Sequence, residues 1–133
     1  MATSTCPSPT IRLVQSILQG LVALVFLAAG ILNLMGIMTE QLMRLGYPGH
    51  FATIIGVAFI TGVICLYQTR FVFLQDWAFG AMAATLVGAA ATHLLIGDPA
   101  AKAAPAIVTL AVLLVAHSLR GGPRPPRRQA RPG

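Results

Sequence analysis

Between Asp76 and Ile96 the chain reads D-W-A-F-G-A-M-A-A-T-L-V-G-A-A-A-T-H-L-L-I, with no acidic residue, Lys or Arg after Asp76. In lipid, backbone amides must be satisfied within their own segment or in a closed barrel. This run is long and does not alternate, so it predicts a helix. Gly80, Ala84, Gly88 and Thr92 recur at a spacing of four, which on a helix makes one smooth stripe where another backbone can come close. The stripe is expected to be a transmembrane packing face, turned inward rather than toward a second copy.

The rest of the chain supports a membrane reading. Hydrophobic residues make up 56% of the 133 positions and charged residues only 9%, against roughly 25% charged in a soluble domain. A soluble fold of this composition could not cover its surface. Cys6 and Cys65 are the only cysteines and lie far apart. Without a C-x-x-C motif they read as free thiols, and no metal site is expected.

The spacing of apolar runs predicts an all-α fold, an antiparallel bundle of four transmembrane helices at about 10–35, 49–67, 77–96 and 99–119. Residues 1–9 form a disordered N-terminus, 10–120 the membrane domain and 121–133 a Pro/Gly-rich basic tail. Ser8-Pro9 is suited to start the first helix, with Ser8 as N-cap and Pro9 in the first turn. The first span is too long for the ~7–15-residue apolar core of a signal peptide. Thr39 is expected to cap a short interfacial helix that Gly46 stops, and Tyr47 to sit among headgroups. Residues 68–75 read as a connection, with Asp76 capping the third span and Trp77 anchoring it. Asp98 is expected to cap the fourth, which Pro105 kinks or divides.

Orientation follows from Lys and Arg in the short loops. With both termini inside, Arg12, Arg70, Arg120, Arg124, Arg127, Arg128 and Arg131 face the cytoplasm, while Arg44 and Lys102 face out. This predicts N-in/C-in. The five tail arginines can bind anionic lipid at ~1 kcal/mol each or dock a partner, or serve only as an orientation signal. Nucleic acid is not an expected partner.

This topology brings several polar residues to one depth. Asn33 lies near the outer end of the first span, His50 opens the second, and Thr92 and His93 close the third. Glu40, Arg44, Asp98 and Lys102 occupy the outer connections. Polar groups in a bilayer are costly and tend to be functional, so Asn33, His50, Thr92 and His93 form the candidate ligand site, able to hydrogen-bond a quinone carbonyl or a lipid headgroup. Histidines at helix ends can equally reach water. Arg12 and Lys102 lie in the end turns of the predicted spans, and no Asp, Glu, Lys or Arg lies deeper within them, which counts against a proton-coupled transporter. No carboxylate pair or activated nucleophile is visible, so the chain reads as non-enzymatic.

Three segments carry a resemblance: F-L-A-A-G-I-L-N-L-M-G, R-L-G-Y-P-G-H-F-A-T-I-I-G-V, and G-A-A-A-T-H-L-L-I-G-D-P-A-A-K-A-A-P-A. Over about residues 12–120 the sequence resembles the DoxX-like family of small four-helix membrane proteins. The resemblance implies a multi-pass protein of the bacterial inner membrane. The family takes its name from a membrane subunit of a thiosulfate:quinone oxidoreductase, so the resemblance also implies quinone-linked redox work, with quinone as candidate cofactor. The sequence departs from many relatives at Asn33, where they carry a basic residue, and at Phe59, where they carry glutamate. The loss of both charges favours a non-catalytic accessory subunit of a larger respiratory or photosynthetic membrane complex. A quinone-linked oxidoreductase component and a small transporter are the alternatives. Membrane lipid, and a membrane-protein partner or a second copy, are the expected contacts.

Overall fold

A computed structural model describes residues 8–120. Five helices follow one another: α1 (Pro9–Leu34), α2 (Thr39–Arg44), α3 (Phe51–Tyr67), α4 (Val72–Leu95) and α5 (Ala100–Ser118), with no strand among the described residues. Helix α1 starts as its sequence dictates. Ser8 accepts a hydrogen bond from the Ile11 amide at 3.4 Å, and Pro9 stands at the first helical position, where its missing N–H costs nothing. Three turns end in the same way. Gly36, Gly46 and Gly97 adopt φ of 76°, 89° and 76°. The amide after each glycine reaches back five residues: Ile37 to Leu32 O, Tyr47 to Leu42 O and Asp98 to His93 O. This closure caps orphan carbonyls and needs a residue free of the Cβ penalty at positive φ.

The other predicted helix starts are corrected. Helix α4 begins at Val72, not beside Asp76, and its N-cap is the extended Phe71. V-F-L-Q contains no breaker. The Phe71 amide donates to Gln68 Oε1 at 2.8 Å, which ends the preceding turn and lets the helix start early. Asp76 therefore sits inside α4, exposed, instead of capping it. Thr39 is the first residue of α2 and Met38 its N-cap. Pro99, not Asp98, caps α5. Pro105 leaves α5 undivided. It falls in the second turn, where it removes a single backbone bond.

Each long helix touches two others. Helix α1 packs on α3 and α5, and α4 packs on α3 and α5, while the diagonals α1–α4 and α3–α5 stay apart. Contacts between ends fix the directions. Gln19 near the start of α1 donates to Leu66 O at the end of α3, and Arg120 after α5 reaches Asp76 near the start of α4. Val22, Phe26, Leu66, Phe79, Met82 and Leu113 meet in the core. Helices α1 and α3 cross closely. A Cβ on Gly56 would lie 2.9 Å from Gly30 O and 2.8 Å from Leu34 Cγ, so that position requires glycine, while a Cβ on Gly30 would be tight at 3.1 Å from Ile60 Cγ1.

The outward faces are greasy. Leu24, Val108, Trp77 and Leu95 are 64%, 61%, 69% and 86% exposed, and a chain in water does not display such a surface. Helices α1, α4 and α5, with 26, 24 and 19 residues, are long and apolar enough to cross a membrane. Helix α3 is as apolar but has 17 residues, a rise of roughly 25 Å against a core of about 30 Å.

Candidate functional site

A cavity of about 460 Å³ lies between α1, α3 and α4, with α2 across one end. Along α4 its wall runs from Ala78 to His93. Its middle is apolar: Phe26, Phe59 and Met82 line it, and the Phe26 and Phe59 rings meet edge to face at 4.9 Å. Its polar groups gather at the α2 end, where Asn33, Gln41, Tyr47, Thr92 and His93 contribute to the wall. The volume and the balance of apolar wall with few polar groups suit a small-molecule site.

Asn33, in the last turn of α1, is the most telling of these residues. It is 7% exposed, and its Nδ2 donates to Ala29 O at 2.8 Å. Its Oδ1 is enclosed and has no partner. A buried amide oxygen left unpaired costs about 1–3 kcal/mol, so this atom calls for a donor. Thr92 donates to Gly88 O at 2.8 Å and lies 3.4 Å from the Tyr47 hydroxyl. The Tyr47 ring stacks on Phe51 at 4.9 Å, which fixes its direction.

Behind His93 stands a charged cluster built on Asp98. Its Oδ2 lies 2.9 Å from His93 Nδ1, and its Oδ1 lies 2.7 Å from Arg44 Nη2 and 3.3 Å from Lys102 Nζ. The Gly97 turn delivers Asp98 to this place. Three elements thus meet on one carboxylate whose side chain is 9% exposed. The His93 hydrogen bond, with Lys102 and Arg44 adding to it against the opposing effect of burial, holds the Asp98 carboxyl below its ordinary value of 3.8. Asp98 is therefore ionised at neutral pH and accepts the proton that His93 carries on Nδ1.

Of the residues singled out in the sequence, the structure brings Asn33, Thr92 and His93 to the cavity. His50 is exposed as the N-cap of α3 and does not line it. Glu40 joins none of the ion pairs among the described residues. The small-residue stripe does not pack within the chain. A Cβ added to Gly80 or Gly88 would meet nothing, and Gly80 and Ala84 are exposed while Gly88 and Thr92 border the cavity. The close crossing belongs instead to Gly30 and Gly56. Helix α2 and Tyr47, read in the sequence as interfacial, form part of the wall. The one available signal was a six-residue helix, Thr39–Arg44, too short to stand without support from the rest of the fold.

The opposite end of the bundle is tied by side-chain contacts. Arg120 donates to Gln75 Oε1, lies 3.3 Å from Asp76, and sits over the Phe79 ring at 4.9 Å. The His117 ring lies 4.9 Å from that of Phe79. Arg120 is thus held by the chain itself rather than freed for docking. Arg124, Arg127, Arg128 and Arg131 lie outside the described residues.

Apolar helices of spanning length, greasy outer faces and a partly open cavity with a polar end define a small helical integral membrane protein. The model of the DoxX-like family matches residues 17–116, and the chain belongs to that family. The match takes in the whole cavity wall. No curated protein and no solved structure matches the chain.

Proposed function

We propose that the chain is a four-span protein of the bacterial inner membrane that holds a lipid-soluble, ring-bearing small molecule in the cavity between α1, α3 and α4. Molecules of the quinone class are the redox-active candidates. The observation that carries this reading is the enclosed, unpartnered Oδ1 of Asn33, a residue at the polar end of a mostly apolar cavity. In this reading about residues 10–120 form the membrane domain, 1–9 and 121–133 flank it, and both termini face the cytoplasm by the Lys/Arg count. Helix α3 spans by local bilayer thinning, a modest cost for a helix a few Å short. The Asp98 cluster lies on the outer side.

The test is extraction of lipid-soluble compounds from protein purified in mild detergent, followed by mass spectrometry. One compound near equimolar with the chain is expected, and it should be absent from Thr85→Trp, which fills the cavity from α4. Equal recovery from both proteins, or no bound compound and no uptake of added quinone or hydroquinone, would sink the proposal.

An accessory role in a larger complex has its own support. Gly80 and Ala84 present an exposed small-residue face on α4 with no neighbour from this chain, a surface suited to another membrane helix. Affinity capture in mild detergent tests it. Loss of a membrane-protein partner in Gly80→Leu supports the role, and a chain that always elutes alone counts against it.

A further inference from the structure

We propose that the polar end of the cavity selects a ligand that donates a hydrogen bond from a ring hydroxyl, a lipid-soluble phenol or hydroquinone, over one that offers only an ether or carbonyl oxygen. This rests on the reading of the cavity as a small-molecule site and specifies the chemistry that site takes.

The inference follows from where each proton goes. Thr92 has one hydroxyl hydrogen and donates it to Gly88 O at 2.8 Å. The 3.4 Å contact between Tyr47 and Thr92 therefore needs the Tyr47 hydroxyl as donor. Thr85 donates to Ala81 O at 2.8 Å. His93 presents Nδ1 to Asp98 at 2.9 Å, and a carboxylate can only accept, so Nδ1 carries the hydrogen. In the neutral ring that leaves Nε2 as an acceptor. Asn33 uses Nδ2 on Ala29 O and leaves Oδ1 empty.

The donors of Tyr47, Thr85, Thr92 and His93 Nδ1 are thus all committed. What remains is a surplus of acceptors: Asn33 Oδ1, His93 Nε2 and the oxygen of Tyr47. Three donor hydrogens are left over, the second on Asn33 Nδ2, whose nitrogen is fixed on Ala29 O, and two on the amide of Gln41, which is exposed on α2 and can turn to solvent. A hydroxyl entering from the apolar middle of the cavity finds acceptors on two sides. An ether or carbonyl oxygen adds a further acceptor to a wall already short of hydrogens. A site built for a hydroxyl discriminates against analogues that lack it, because its own polar groups then stay unpaired.

The test compares a 4-alkylphenol with its methyl ether, matched in shape but not in the hydrogen it can donate. Binding is measured by titration calorimetry on the full chain in lipid nanodiscs. The phenol should bind tighter by about tenfold or more. Asn33→Leu, close in volume, and His93→Phe should each narrow that gap by severalfold while the ether binds as before. Circular dichroism and elution profile report that each variant is folded. Equal binding of phenol and ether to the unaltered chain overturns the donor preference and leaves the cavity reading standing. Binding of neither overturns both. A gap that survives in both variants overturns the assignment of Asn33 and His93 as the acceptors.

Discussion

The two ends of the bundle handle similar polar residues in opposite ways. At the end where α1 starts and α5 stops, Gln15, Gln19, Gln75, Asp76 and Arg120 bond to one another or to helix carbonyls, and Arg120 sits over the Phe79 ring. These groups tie α1 to α3 and α4 to α5. At the end covered by α2, an amide, a phenol, a hydroxyl and an imidazole ring a cavity, and one enclosed oxygen stays unpaired. Polar groups in apolar surroundings stabilise a fold when they satisfy each other. Where they do not, the geometry is kept for something else. The comparison assigns stability to the terminal end and binding to the α2 end.

The largest effect that sharpens this contrast lies behind the cavity. Gly56→Ala places a Cβ 2.9 Å from Gly30 O, and backbone cannot give way as a side-chain tip can. A loss of about 2–3 kcal/mol is expected, in the range of overpacked interiors, read as a lower thermal midpoint in detergent. The displaced α1 should also weaken ligand binding through Asn33.

Next is Asp98→Asn, which removes the charge shared by His93, Arg44 and Lys102. It should release α2, seen as faster hydrogen exchange at 39–44, and weaken binding at the α2 end only. The pH dependence has a definite sign. Because the folded carboxyl sits below its ordinary value of 3.8, its contribution is complete above that pH and is lost as pH falls through the lowered value. The thermal midpoint of the unaltered chain should thus keep this contribution from neutral pH down to about 5 and lose it below 3.8, and Asp98→Asn should lack that acid step.

Arg120→Ala acts on the opposite end. It removes a cation–π contact and a partly solvated ion pair, worth about 1 kcal/mol together after screening by water. Ligand affinity should not move. A matched loss of affinity would break the division of labour between the ends. The smallest effect is expected from Gly88→Ala, where a Cβ meets nothing. It should leave stability unchanged or raise it by roughly 0.5–1 kcal/mol, the ordinary preference of a helix for alanine.

The contrast between Gly56 and Gly88 also shows what the sequence can and cannot convey. Both glycines sit in apolar helices, and the regular stripe from Gly80 to Thr92 is the more conspicuous pattern. Spacing fixes which residues share a helix face but not which face meets a neighbour. That choice depends on how α4 is rotated against α3 and α5. What rests on local chemistry was legible: the Ser8-Pro9 start of α1, the glycine stop at Gly46, and the membrane character of a chain poor in charge. Asn33, Thr92 and His93 stood out because polar residues are rare in such segments. Helix α2 and Tyr47 did not, since their place in the wall is set by Gly36, Gly46 and the Arg44–Asp98 pair acting over 54 positions. The early start of α4 goes with a bond from the Phe71 amide to the Gln68 side chain, a contact that residue preferences do not signal.

The most direct test of an occupied cavity is photolabelling in lipid bilayers with a diazirine-bearing alkylphenol, followed by mass-spectrometric mapping. The account predicts adducts on the cavity wall, around Phe26 and Asn33 on α1 and between Thr85 and His93 on α4, suppressed by excess unlabelled phenol and lost in Thr85→Trp. Adducts spread over outward positions such as Leu24 and Val108, and indifferent to competitor, would contradict it.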